Sequence, residues 1–348
     1  GYIIFSGCAT ETRDARGRRS SCVGSFFTTQ KGIEVIFMAH SFMTYEQQLT
    51  KLSSEKDLTI IDTAYAKTIL ERTSYFSLIG GYKSLFKNPS TGKYKYNVTF
   101  EELVAFYYFD EELRTLFLKY ILHVERHIKS MFSYYFCEKY GENHQEYLTP
   151  TNYGLNNRNS RDINRLTDSL KKVISLPSHY SYINHHLNTY HNVPLWVTMN
   201  ALTFGQVSKM YQYATSDIRS KISKNYSNLS EKQLHQMITI LAKCRNVCAH
   251  GERLFSFNTT DTIPDMPLHT KMSIPKKKGQ YTLGKHDLFS IVIALRYLLD
   301  VDEFKRFKTQ LVHLISKVLK SCPHLSEEEL LTYMEFPETW KSISRYKI

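Results

Sequence analysis

No stretch of this chain holds 18 or more uninterrupted apolar residues, so no membrane-spanning helix is predicted and no membrane partner is expected. Cysteine is thin: six residues, at 8, 22, 137, 244, 248 and 322, form no Cys-x-x-Cys pair and no dense framework. That excludes a small disulfide-stapled scaffold and a zinc-ribbon arrangement, and it suits reduced thiols in a cytoplasmic protein. Glycine and proline are sparse, 14 and 9 in 348 residues, which leaves few tight turns to punctuate strands. No internal repeat is visible, which argues against a solenoid. No segment alternates apolar and polar residues in the manner of a strand. Acidic residues are in deficit, 33 against 45 Lys and Arg, a formal charge of +12. That balance disfavours a structural adaptor and favours a polyanionic partner, with nucleic acid ahead of a membrane surface.

What is present is apolar and helical. A hydrophobic fraction of 42% and an aromatic fraction of 14% can bury a core, which rules out a disordered chain. Residues 1–37 stand apart. They carry Arg13, Arg16, Arg18 and Arg19 without hydrophobic periodicity and read as a disordered upstream leader, with Met38 or Met43 as the native start. From there an N-terminal helical region is expected over 38–98. Thr44 caps its first helix with Gln47 three residues on, a second helix is expected over Asp62–Arg72, the run 75–82 breaks the pattern, and 88–93 is a turn-rich loop. A larger helical domain follows over 99–348. Its longest continuous signal is Phe100 to Tyr140, opened by Thr99 and stopped by Gly141, read as one helix or as two with a break near Asp110. A loop over 141–160, a helix over 162–174 and a polar histidine-bearing connector over 178–192 come next. A helix from Pro194 is expected to be interrupted at Gly205, with short helices after it. A long loop over 254–285 carries Lys276, Lys277 and Lys278, and a C-terminal helical tail closes the chain. The fold class is all-α.

One stretch concentrates chemistry. Leu234, Met237, Ile238, Leu241, Cys244, Val247 and Cys248 recur at three- and four-residue steps, one face of a helix. Arg245, Asn246 and His250 sit at its end, and Gly251 follows where a helix C-terminus expects glycine. A bare Arg-x4-6-His match is uninformative, since roughly two are expected by chance in a chain of this composition. The adjoining asparagine and the position at the end of an apolar helix give it weight. Helical spacing of five residues turns about 140° past a full turn, so Arg245 and His250 diverge on an uninterrupted helix; either termination at Gly251 swings His250 back, or the two face a shared cleft from slightly different directions. A metal site of Cys244, Cys248 and His250 is disfavoured, because both cysteines lie on the apolar face. No metal and no cofactor are expected.

Cutting RNA without a metal needs a base for the 2′-OH proton, an acid for the leaving 5′-oxygen and a cation for the phosphorane. Histidine suits the first two roles and arginine the third. One histidine does not fill both roles at once, and each chain has one motif. A symmetric homodimer that pairs two motifs is the economical arrangement.

Arg245-Asn-Val-Cys-Ala-His250, followed by Gly-Glu-Arg-Leu-Phe, resembles the Arg-Asn-x3-His signature of HEPN ribonucleases, in the form carried by Abi-like abortive-infection proteins of the AbiD/AbiF group. The likeness covers roughly 40 to 345 and extends through Phe42-Met-Thr-Tyr-Glu-Gln-Gln, Ser74–Tyr82, Phe109-Asp-Glu-Glu-Leu-Arg114, Leu195-Trp196, Leu202–Gly205 and Met334–Trp340. It implies a HEPN-type helical bundle and an endoribonuclease toxin of bacterial anti-phage defence. Its expected catalytic residues are Arg245 and His250, supported by Asn246, and its expected partners are an RNA substrate and, as in some relatives, a small structured non-coding RNA. Glu125 and Arg126 fall where such domains place polar residues toward the site, and Lys276–Lys278 offer further contacts to RNA. Toxins of this kind that are silenced by nucleotidyl transfer carry tyrosine two residues past the histidine. Glu252 stands here, which disfavours that control. The alternative reading is a non-catalytic module that holds a structured RNA.

Overall fold

The computed structural model describes residues 41–348, Asn228 excepted. Ahead of them only the backbone of four three-residue strands is described, Glu11–Arg13 paired with Arg19–Ser21 and Phe27–Thr29 paired with Gly32–Glu34. The expectation of a leader over 1–37, and Met38 as a start, otherwise fall outside the described residues. From residue 41 on, the described chain is all-α, with one two-residue hairpin at Lys276–Lys277 and Gln280–Tyr281.

The N-terminal region folds as α1 (Tyr45–Thr50), α2 (Thr63–Thr73) and α3 (Gly81–Phe86). Thr44 accepts from the Gln47 amide while the Gln47 side chain accepts from Thr44, which satisfies two orphan donors at the start of α1. Residues 76–80, expected to break the pattern, instead form a π-turn that runs straight into α3. This region shares one core with the rest: buried apolar residues run without a gap from Leu49 to Ile343.

The fold is built on α4 (Phe100–Tyr140), 41 residues and therefore about 60 Å long. Thr99 and Glu102 cap it reciprocally, and Gly141, at φ +91°, ends it. No break occurs near Asp110. That residue is fully buried and its carboxylate is satisfied by Arg114 one turn along the helix and by Tyr82 and the Leu254 and Phe255 amides from outside it, so a polar residue sits inside an unbroken apolar face. Two further expectations are corrected downstream. The loop over 141–160 contains α5 (His144–Leu148) and a single 3-10 turn, and the polar connector is helical as α7 (Ser181–Tyr190), anchored by buried Ile183. Between them lies α6 (Ser160–Val173).

After the short α8 (Leu195–Thr198), Gly205 does not interrupt a helix; it lies in the first turn of α9 (Phe204–Tyr213), which Thr203 and Gln206 cap. Then come α10 (Ser216–Ser223) and α11 (Glu231–Ala249), the latter packed against α4, α9, α10 and α13. The stretch 254–285 is not all loop. It runs back along α11 and forms α12 (Pro267–Lys271) and the hairpin. The buried α13 (Leu288–Leu298), α14 (Val301–Ser321) laid along α4, and α15 (Glu327–Tyr333) complete the bundle, with a 3-10 segment that seats Trp340 in the core.

Candidate active site

The apolar stripe of α11 is buried at six of its seven positions: Leu234, Met237, Ile238, Leu241, Cys244 and Cys248 face the core, and Val247 is half-buried. Burial pushes the Cys244 thiol well above its ordinary range, so it stays protonated among apolar neighbours. α11 stops at Ala249, and His250 is its cap. The Glu252 amide donates to the Val247 carbonyl at 3.1 Å and the Gly251 amide to Cys248 at 3.4 Å, a reverse closure that needs a left-handed residue between. Gly251 supplies it at φ +69°.

The segment after the turn is bolted to α4. The buried Asp110 carboxylate accepts from the Leu254 amide at 3.1 Å, the Phe255 amide at 2.8 Å, the Tyr82 hydroxyl at 2.8 Å and the Arg114 guanidinium at 2.7 Å. Arg114 also donates to the Glu252 carbonyl at 3.3 Å, and Arg253 donates to the Gly81 carbonyl at 3.0 Å. Burial drives the Asp110 carboxyl upward; Arg114 and the hydrogen-bond donors oppose it. Phe255 closes the anchor, its ring 5.1 Å from Phe106 and 5.5 Å from Tyr82. The end of α11 is thus held in place by residues outside the motif. Sequence reasoning gave Asp110 and Arg114 no role, although their four-residue spacing on a helix was a usable signal.

Arg245 turns inward. Its Nε lies 3.8 Å from a carboxylate oxygen of Glu125, whose side chain is almost wholly buried. The other oxygen of Glu125 takes the Lys129 ammonium at 2.7 Å, and Lys129 also donates to the Leu202 carbonyl at 2.6 Å. One buried carboxylate therefore sits between two cations, leaving the cluster one positive charge in excess. Neither the Arg245 Nε nor the facing Glu125 oxygen has a hydrogen-bond partner, so the pair is near contact without being closed. Lys129 was not singled out from sequence. With Gln at 125 the pair with Lys129 weakens, and stability is expected to fall by about 2 kcal/mol, read as a shift in the urea midpoint at unchanged slope.

Asn246 and His250 are exposed. Among the described residues, no side-chain hydrogen bond or ion pair joins them to Arg245 or to one another. Beside them a groove of about 510 Å³ opens between Val247, Gly251 and Glu252 on one side and Phe76, Gly80 and Tyr107 on the other. Phe76 stands at its lip, 85% exposed.

The remaining candidates lie elsewhere. Arg126, one step from Glu125, is turned about 100° around α4 and lines a different cavity. Lys276, Lys277 and Lys278 are carried off by the returning segment. Thr259 lies beside Lys243, the Thr262 carbonyl beside Gln236 and Met266 beside Gln233, so the hairpin lies toward the opposite end of α11 from His250. Among the described residues no group of three or more metal-ligating side chains converges.

A family model described as Abi-like protein matches residues 68–256. Its span begins in α2 and ends one residue past Phe255, so it encloses Asp110, Glu125, the whole of α11 and the anchor that follows. No curated protein and no solved structure matches the chain.

Proposed function

Because the chain belongs to the Abi-like protein family, we propose that it serves abortive infection as a metal-independent endoribonuclease, with Arg245, Asn246 and His250 as its catalytic residues. The observation that carries this reading is the end of α11. An exposed imidazole and an exposed amide are presented to solvent next to an arginine that faces a buried carboxylate, on a turn that other residues hold in place.

The chemistry needs two such ends. Two copies related by a twofold axis bring His250 and the partner subunit's His250 to one phosphodiester. One imidazole takes the 2′-OH proton as the 2′-oxygen attacks phosphorus. The other gives a proton to the departing 5′-oxygen, and the products are a 2′,3′-cyclic phosphate and a 5′-hydroxyl. The Arg245 fork meets the charge that builds on the phosphorane oxygens. Glu125 sets its direction, as outer partners do in preorganised sites. Asn246 orients the phosphate or the imidazole. Phe76, at the lip of the neighbouring groove, offers a face on which a flanking base stacks.

The test is cleavage in the presence of EDTA. Purified protein incubated with total RNA is expected to release fragments that end in 2′,3′-cyclic phosphate, detected by end-specific adapter ligation. Protein that binds RNA tightly and never cuts it, with or without EDTA, would establish the rival reading of a holding module.

A further inference from the structure

A cavity of about 810 Å³ opens on a side of α4 that Glu125 does not face. His123, Arg126 and His127 line it from α4, Arg296 from the end of α13, Glu303 from the start of α14, and Lys347 from the C-terminal segment.

Arg296 is the anomaly. It is only 8% exposed, and no carboxylate pairs with it among the described residues. One Nη donates to the Tyr346 carbonyl at 3.0 Å and the guanidinium lies 5.4 Å from the Phe304 ring centre, but Nε is buried with no partner. Arg114 is buried to the same degree and has Asp110 at 2.7 Å. A buried cation without an anion carries an uncompensated desolvation cost, and burial pulls Arg296 below the ordinary arginine range. The carboxylates of the cavity do not relieve it. Glu303 is held by His123 at 2.6 Å, Asp300 caps α14 by accepting from the Glu303 amide at 2.7 Å, and Ile348, which also lines the cavity, forms no ion pair with Arg296 among the described residues. Arg126 is exposed at the same cavity and likewise has no carboxylate partner among the described residues. Two arginine forks without acidic partners line one concave space that is large enough for a nucleotide.

We propose that this cavity is a phosphate-binding site, separate from the Arg245–His250 end, in which Arg296 and Arg126 hold the terminal phosphate of a nucleotide or of an RNA 5′ end. A planar guanidinium matches phosphate oxygens two at a time, and the volume left beyond the phosphate accommodates a nucleoside. The site does not depend on the nuclease reading, because it uses none of the residues of that reading.

The experiment is titration of the full chain, at constant ionic strength and in EDTA, with inorganic phosphate, AMP, ATP, and 2′-O-methyl RNA pentamers carrying either a 5′-phosphate or a 5′-hydroxyl. Succinate serves as the carboxylate control. At least one phosphate-bearing probe is expected to bind saturably and to raise the melting temperature. Binding is expected to weaken about tenfold or more in Arg126→Glu, and also in Arg296→Gln. Arg245→Ala is expected to bind as the wild type does. Preference for ATP or AMP identifies a free nucleotide as the source, and preference for the 5′-phosphorylated pentamer identifies an RNA end. Absence of saturable binding by every phosphate probe overturns the assignment. So does equal binding of succinate, binding that Arg126→Glu leaves unchanged, or binding lost in Arg245→Ala. Because Arg126 is exposed, its variant keeps the test decisive if Arg296→Gln fails to fold.

Discussion

His250→Ala protein is expected to cut RNA about 10²–10⁴ times more slowly than the wild type, the usual worth of a positioned general acid or base. It should unfold within about 0.5 kcal/mol of wild type, since an exposed side chain with no partner among the described residues contributes little to stability. Arg245→Ala is expected to lose about 10²–10³ in rate. The two variants differ in what they disturb. Removing His250 touches nothing in the fold. Removing Arg245 takes one cation from Glu125 and leaves the carboxylate with Lys129. A composite site adds a second signature, in that specific activity should fall on dilution as dimers separate. Retained cleavage in both variants, each folded as wild type, would sink the assignment of the site.

The second large effect is structural. Asp110→Ala is expected to lower stability by about 3–5 kcal/mol, because it strips a buried arginine of its carboxylate. It also leaves the Leu254 and Phe255 amides and the Tyr82 hydroxyl without their acceptor. Arg114 has no other carboxylate among the described residues to turn to. The measurement is urea unfolding, followed by fluorescence. The same variant should cut RNA poorly even at temperatures where it remains folded, since the segment that fixes the end of α11 has lost its anchor. Asp110→Ala unfolding within 1 kcal/mol of wild type would show that the anchor holds without its carboxylate.

The sequence carried the helical class, the cap and stop of α4, and the buried stripe of α11, because each depends on residues a few positions apart. It misplaced what depends on distant partners. Asp110 reads as a break when only its neighbours along the chain are visible; its acceptor role comes from amides more than 140 residues away. The resemblance gives Arg126 and Glu125 one role, but one helical step buries Glu125 against Lys129 and Arg245 and turns Arg126 to a cavity on another side of α4. The lysines of 276–278 follow the motif in sequence and lie away from it because the intervening segment folds back along α11. Some misses were legible. Thr203 followed three residues later by Gln206 is a capping signature that overrides the glycine between them. The anion cavity had no local signature, since it assembles from α4, α13, α14 and the C-terminal segment.

The length of α4 sets a phase. Asp110, which anchors the segment after the motif, and Glu125, which holds the motif's arginine, ride on one uninterrupted helix, fifteen residues apart, so their angular offset is fixed at about 60°. Adding or deleting one residue between them would rotate one against the other by about 100°. Neither α11 nor the anchored segment could follow without giving up its own contacts. Loops of this protein can drift in length; the span from 110 to 125 cannot, and any diversification there must proceed by exchanging side chains at constant count.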